Sequence, residues 1–247
     1  MLDSERAVRV QLAAAYRLVD YFDWTELIYG HLTARVPGEE GHFLINAFGL
    51  NYDEITASNL VKIDLDGKVV SGGSPHGVNY AGFVLHSAIH MQHSENCVVM
   101  HTHSRAGMAI AATKEGLAQV SMNSTSFHEA IAYHDYEGVS LYLDERERFT
   151  HSLGNKKAAI LRNHGLLVVG NTVPETFLRL YRLERACEVQ LDAAAAGTLN
   201  VLSDAVAARS YHDLEIFPQK HAEAAYGDIE FAALMRKLDK IDAGYRD

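Results

Sequence analysis

Two apolar runs in the second half of the chain set the narrowest limit on its fold. Lys157-Ala-Ala-Ile-Leu-Arg162 and Leu166-Leu-Val-Val169 are each too short for a helix, and only Asn163-His164-Gly165 parts them. Runs of that length and composition suit central strands. Asn96–His101 reads as another buried strand, set between two helical segments, Asn79–His93 and Arg105–Thr113, with Gly116 just past the second. Strand followed by helix, repeated, implies an α/β chain.

The flanking segments fit that class. Val8, Leu12, Ala15, Val19 and Phe22 form one apolar stripe along a helix of about Asp3–Asp23, which would cover a core. From Gly30 to Val70 the pattern changes to short β-branched runs: His31–Val36, His42–Asn46, Leu60–Asp64 and Lys68–Val70, with Asp66-Gly67 as the hairpin signal before the last. A long helix is expected from about Pro174 to Ala196, where proline suits the first turn and Gly197 the stop. Four prolines leave little room for linkers. A single α/β domain over 1–200 is therefore expected, with a C-terminal segment, 201–247, packing on it or on a neighbouring subunit.

Composition removes several functions. Lys+Arg 22 against Asp+Glu 32 gives a net charge of −10, which repels a nucleic-acid backbone or an anionic membrane. No apolar stretch reaches the roughly 18 residues that span a bilayer, and Met1 opens into Leu2-Asp3-Ser4-Glu5 rather than a basic signal-peptide start. A cytoplasmic protein is expected. Cys97 and Cys187 are no disulfide framework and read as inert core thiols. The unusual count is histidine, 14 in 247 residues.

Among these, Val98-Val-Met-His101-Thr-His103 is the sharpest feature. Alternate side chains of a strand point the same way, so both imidazoles can face one metal ion. His164, delivered at a strand end with Gly165 beside it to permit close backbone approach, makes a third ligand reasonable. Three histidines without a fourth protein ligand leave a position for water or substrate, the pattern of a catalytic site. Neutral nitrogen donors favour Zn(II) and also serve Fe(II), Co(II) or Mn(II).

At this point the chain resembles the class II aldolase/adducin family over roughly Leu12 to Gly197. The carriers are Gly30-His-Leu-Thr-Ala-Arg35, Phe48-Gly-Leu-Asn-Tyr-Asp-Glu54, Gly77-Val-Asn-Tyr-Ala-Gly-Phe-Val-Leu-His86, His101-Thr-His103, Ala132-Tyr-His-Asp-Tyr136 and Arg162-Asn-His-Gly165. The resemblance implies a three-layer αβα domain around a predominantly antiparallel or mixed sheet. It also implies a divalent metal held by His101, His103 and His164, a small-molecule substrate, and a homotetramer whose sites are completed across subunit borders.

Two departures stand out. The family's aldolases carry a catalytic glutamate at the position of Gly82, and no carboxylate occupies Gly72–Ser94 here. Where they offer small polar residues to a phosphate, this chain has His31, Phe48 and Asn79-Tyr80, while Gly30 and Gly49 remain. A less phosphorylated substrate, aromatic or a keto acid, is expected. Candidates for the missing base are His31, Tyr80, His86 and His128. Gly30, Gly49, Asn79 and Arg105 are the substrate-binding candidates, with Arg162 a second anion partner. His86 and His90, one helical turn apart, also suit plain packing, and Tyr133–Tyr136 a turn that orders its loop. Glu145–Arg148 reads as a solvated helical face.

The function expected is a metal-dependent lyase, by aldol-type cleavage or by decarboxylation, which needs no base to start. Two rivals remain: a non-haem iron oxygenase, and an adducin-like scaffold or vestigial metal protein without catalysis.

Overall fold

The computed structural model describes residues 3–73, 75–92, 97–139, 143–221 and 224–247. In chain order the larger elements are α1 (Asp3–Tyr21), β1 (His31–Arg35), β2 (His42–Ile45), β3 (Val61–Asp64), β4 (Val69–Ser71), α2 (Tyr80–Gln92), β5 (Val98–Thr102), α3 (Arg105–Ala111), β6 (Ile131–His134), α4 (Glu145–Leu153), β7 (Ala158–Leu161), β8 (Gly165–Gly170), α5 (Val173–Ala196), α6 (Asp204–His221) and α7 (Asp228–Ile241).

The strands form one eight-stranded sheet in the order β4-β3-β2-β1-β5-β8-β7-β6. Among the described residues every neighbouring pair is antiparallel except β6 with β7, which is parallel. The apolar runs Lys157–Arg162 and Leu166–Val169 hold β7 and β8, and both strands are buried throughout. The Asp66-Gly67 hairpin joins β3 to β4, with Gly67 at φ 83°.

Alternation along the strands divides the interior into two faces. Leu32, Ala34, Val98, Met100, Ile160, Leu166 and Val168 meet the apolar stripes of α1, α3, α5 and α7. Their neighbours in sequence point the other way: Val99, Leu167 and Val169 pack on Leu85 and Ile89 of α2 and on Phe149 and Leu153 of α4. The result is three layers with the sheet in the middle.

Helix ends obey local chemistry. At α5 the Thr172 side chain accepts from Glu175 N, Pro174 sits in the first turn and Gly197 closes the helix. α1 stops at Tyr21 because Asp23 turns to φ 60°, letting Trp24 N donate to Val19 O at 3.0 Å.

Several expectations shift by a residue or more. The helix read over Asn79–His93 and the strand read over Asn96–His101 overlap α2 and β5, while His93 and Asn96 lie outside the described residues. Tyr133 and His134 are strand residues of β6 rather than a turn, because the parallel partner β7 extends their backbone. Glu145 is buried, not solvated, with its carboxylate 3.8 Å from His134 Nε2. Among the described residues no helix is long and apolar enough to cross a membrane.

Candidate metal centre

The register of the sheet brings the histidines together. His31 of β1 lies opposite His101 of β5, and β5 ends one residue before His103. His164 stands immediately before β8, where Asn163 turns at φ 56° and donates its N–H to Ala111 O at 3.0 Å. Gly165 then lets β8 pass close to the pair, since a Cβ there would overlap the Thr102 carbonyl and press on both His103 and His101. The imidazoles face the α2 side of the sheet. Thr102 faces the other side, toward α5.

His101, His103 and His164 each present one nitrogen within 4.8 Å of the others. Nε2 of His101 is 2.7 Å from Nε2 of His103, which is 3.0 Å from Nε2 of His164. The outer nitrogens decide what those contacts are. His101 Nδ1 lies 2.7 Å from the Leu166 carbonyl and His103 Nδ1 lies 2.8 Å from the Glu26 carboxylate. Both partners only accept, so each Nδ1 carries the proton and each Nε2 is a bare lone pair. Two lone pairs at 2.7 Å repel unless a cation lies between them. The donor set therefore fits a divalent metal.

Burial keeps the rings in the neutral form that ligates. It holds His101 well below the usual imidazole range and draws His164 down to about 4, with neighbouring imidazoles adding to each shift. His103 is also lowered, because burial outweighs the opposing pull of Glu26. Glu26 was invisible to the sequence reading; it sits in an irregular loop whose next residue, Leu27, turns at φ 53°.

The other candidates fall at varying distances from this cluster. His31 is 5 % exposed and its ring centroid is 5.6 Å from that of His101. Its ring also lies against Gly82, whose Cβ, if one were added, would overlap the imidazole. His86 is fully buried behind His31, with ring centroids 4.7 Å apart, and shares the Thr33 hydroxyl with His90, each at 2.8 Å. Gly30 adjoins the His101 carbonyl, 3.4 Å from where its Cβ would stand.

Less central are Tyr80, half-exposed at the start of α2 and against Phe83, and Asn79, whose carbonyl takes the Phe83 N–H. Gly49 lies against His76. Arg105 opens α3 with an exposed side chain, whereas Arg162 is tied to the Thr113 carbonyl and stacks on Tyr133. His128 follows a 3-10 turn, Ser124–Phe127, and makes none of the described contacts with the three ligating rings. Tyr136, from one of the quoted motifs, places its ring 6.0 Å from His164.

A small recess beside His164 is lined by Tyr136 and Arg162. A far larger cavity, about 1100 Å³, lies elsewhere between α5, α6 and the α4–β7 turn.

Comparison with known proteins identifies the family of this fold. The model of the class II aldolase and adducin N-terminal domain matches residues 10–191. A solved aldolase II superfamily protein from Pseudomonas syringae is 45% identical, with a TM-score of 0.92, covering 100% of this chain and 98% of that one. The solved L-fuculose 1-phosphate aldolase from Glaciozyma antarctica is 30% identical, with a TM-score of 0.85, over 98% of this chain and 93% of its own. Alpha-adducin of Rattus norvegicus is 44% identical over 98% of this chain, which spans 34% of that longer protein.

Proposed function

The chain belongs to the class II aldolase and adducin family, and from that membership and the imidazole cluster we propose that it is a divalent-metal-dependent lyase. Its substrate is a small hydroxy or keto compound with a carbonyl or carboxylate group, and its reaction is aldol-type cleavage or decarboxylation. The observation that carries the reading is the 2.7 Å approach of Nε2 of His101 to Nε2 of His103, each ring's Nδ1 being engaged by an acceptor, with His164 closing the triangle.

His101, His103 and His164 would hold the ion, Zn(II) ahead of Fe(II), Co(II) or Mn(II), and leave a coordination position for substrate. When bound, the ion supplies Lewis acidity toward the oxygen on which negative charge develops. The chain supplies the rest. Glu26 and the Leu166 carbonyl fix the two ring orientations. His31 is the nearest further imidazole, and His86 stands behind it. Burial draws His31 down to about 3, so it is a weak base at neutral pH. That favours decarboxylation, which needs no proton removed at the start, over aldol cleavage, whose acid–base step is worth roughly 10²–10⁴-fold.

Tyr80 is proposed as a further proton-transfer group, whereas His128, which precedes the end of β6 remote from His164, is not. Gly30, Gly49 and Asn79 are assigned to the substrate backbone, and the exposed Arg105 to its carboxylate. Exposed Leu27, Tyr29 and Tyr136 lie on the same segments as Glu26 and the His164 recess, which supports a homotetramer whose neighbours complete the site. Residues 201–247 are read as a segment packed on the 1–200 domain. Two free cysteines support a cytoplasmic location, and the charge of −10 supports the absence of nucleic-acid or membrane partners.

A screen of 2-keto acids, 3-hydroxy acids, aromatic acids and deoxysugar phosphates, run on chelator-treated and Zn(II)-restored protein, tests the reading. Metal-restored release of carbon dioxide from an acid is the expected result. Efficient cleavage of L-fuculose 1-phosphate would contradict the ordering of the two chemistries. A second reading, an adducin-like scaffold, is favoured by the 44% identity to alpha-adducin across 98% of the chain. It predicts no turnover of any screened compound.

A further inference from the structure

Glu184 lies in the middle of α5 and is fully buried, yet among the described residues it pairs with no Lys, Arg or His. A buried carboxylate without a cation is costly. Burial pushes its carboxyl up to about 7. Its two oxygens are spent on two hydroxyls: Thr102 Oγ1 donates to Oε1 and Ser104 Oγ to Oε2. Thr102 and Ser104 are themselves 1 % and 2 % exposed.

Those two residues flank His103. The last ladder pair of β5 is Thr102 with Leu166, and α3 begins at Arg105 with Ser104 as its cap, accepting from Gly107 N at 3.0 Å. His103 thus occupies the joint between a strand and a helix, beyond the sheet pairing that fixes His101. One carboxylate bridging residues i−1 and i+1 from the opposite face fixes the extended backbone between them. One turn further along α5, Glu188 accepts from Trp24 Nε1 at 3.1 Å, and Trp24 leads into the loop whose Glu26 holds His103 Nδ1 at 2.8 Å. A leucine at 184 would fill the volume but orphan both hydroxyls and free the joint.

We propose that Glu184 is a positioning residue for the metal centre: by bridging Thr102 and Ser104 it fixes the joint that aims His103 at the ion. This rests on the metal reading. Outer-layer groups that orient ligands typically set metal affinity by about 10–100-fold.

The test uses the full chain stripped with chelator. Zn(II) affinity is measured by competition with a chromophoric chelator, and Co(II) is added separately to record the visible spectrum, which reports ligand geometry. Glu184→Ala should weaken Zn(II) about 10–100-fold and alter the Co(II) spectrum, while Glu184→Gln, which keeps one carbonyl acceptor, should lose roughly tenfold. Thr102→Val, which removes one hydroxyl at constant shape, should weaken binding without Glu184 being touched, and it serves if Glu184→Ala fails to fold. Phe177→Leu, a core change on the same helix, should lower the melting temperature and leave the affinity within about twofold. A parent that binds Zn(II) with Glu184→Gln and Thr102→Val indistinguishable from it overturns the positioning role alone. A parent that binds neither ion overturns the metal reading and this proposal together.

Discussion

The His31 imidazole fills the space into which a side chain at residue 82 would grow: a Cβ built on Gly82 overlaps Cε1, Nε2 and Cδ2 of that ring. The two positions are mutually exclusive. A glycine inside α2 is otherwise unfavourable by about 1 kcal/mol relative to alanine, so its presence answers to His31 and not to the helix.

Gly82→Ala should therefore destabilise the protein, opposite in sign to the helix-propensity effect, by roughly 1–3 kcal/mol as for other overpacked sites. In the double variant His31→Ala/Gly82→Ala the added methyl should be tolerated. Denaturant unfolding of the four-member cycle measures the coupling. Equal stability of Gly82→Ala and the parent would show that the ring yields freely.

Acid should unfold the metal-free protein early. His31, drawn down to about 3, and His86 and His101, held well below their usual range, are neutral in the fold because they are buried. The unfolded chain takes up their protons below about pH 6.5, and the native state does not, so stability is intact above that pH and falls as pH drops toward 3. For His31 the loss is on the order of 2 kcal/mol by pH 5. Glu184 has the opposite sign: its raised carboxyl holds a proton in the fold up to about 7, so its contribution declines as pH rises from about 4.5 to 7. Urea titrations at several pH values should show the acid fall in both parent and Glu184→Gln, with the latter losing only the neutral-side decline. A flat profile from pH 7 to 5 would contradict the neutral buried imidazoles.

Assembly has its own signature. Sedimentation at micromolar concentration should give a tetramer, and Leu27→Asp, which charges a residue 75 % exposed beside Glu26, should shift it toward smaller species. A monomeric parent would contradict the shared-site arrangement.

The clustering of His101, His103 and His164 was legible in the sequence because its signal is local. His101 lies in β5, His103 one residue past its end, and His164 in a three-residue gap between two strands, so strand spacing makes their approach reasonable and the family resemblance strengthens it. The layers were legible for a related reason: α1 and α5 carry stripes that match their buried faces. What escaped was long-range. Glu26 reaches His103 across 77 positions from a loop with no periodic pattern. Glu184 looks like any acid on a long amphipathic helix until the sheet places Thr102 and Ser104 over it. The parallel pairing of β6 with β7, which turned Tyr133 and His134 into strand residues, depends on a crossover through α4 that no local pattern announces.

The metal centre itself is tested most directly by the metal content of protein purified without chelator. Elemental analysis of the parent and of His103→Ala is the measurement. About one divalent ion per chain in the parent, with Zn(II) the leading metal, and loss of that ion in His103→Ala is the result expected from three converging Nε2 atoms. A parent with no stoichiometric metal, and no rise in melting temperature when Zn(II), Co(II), Fe(II) or Mn(II) is added, would contradict it.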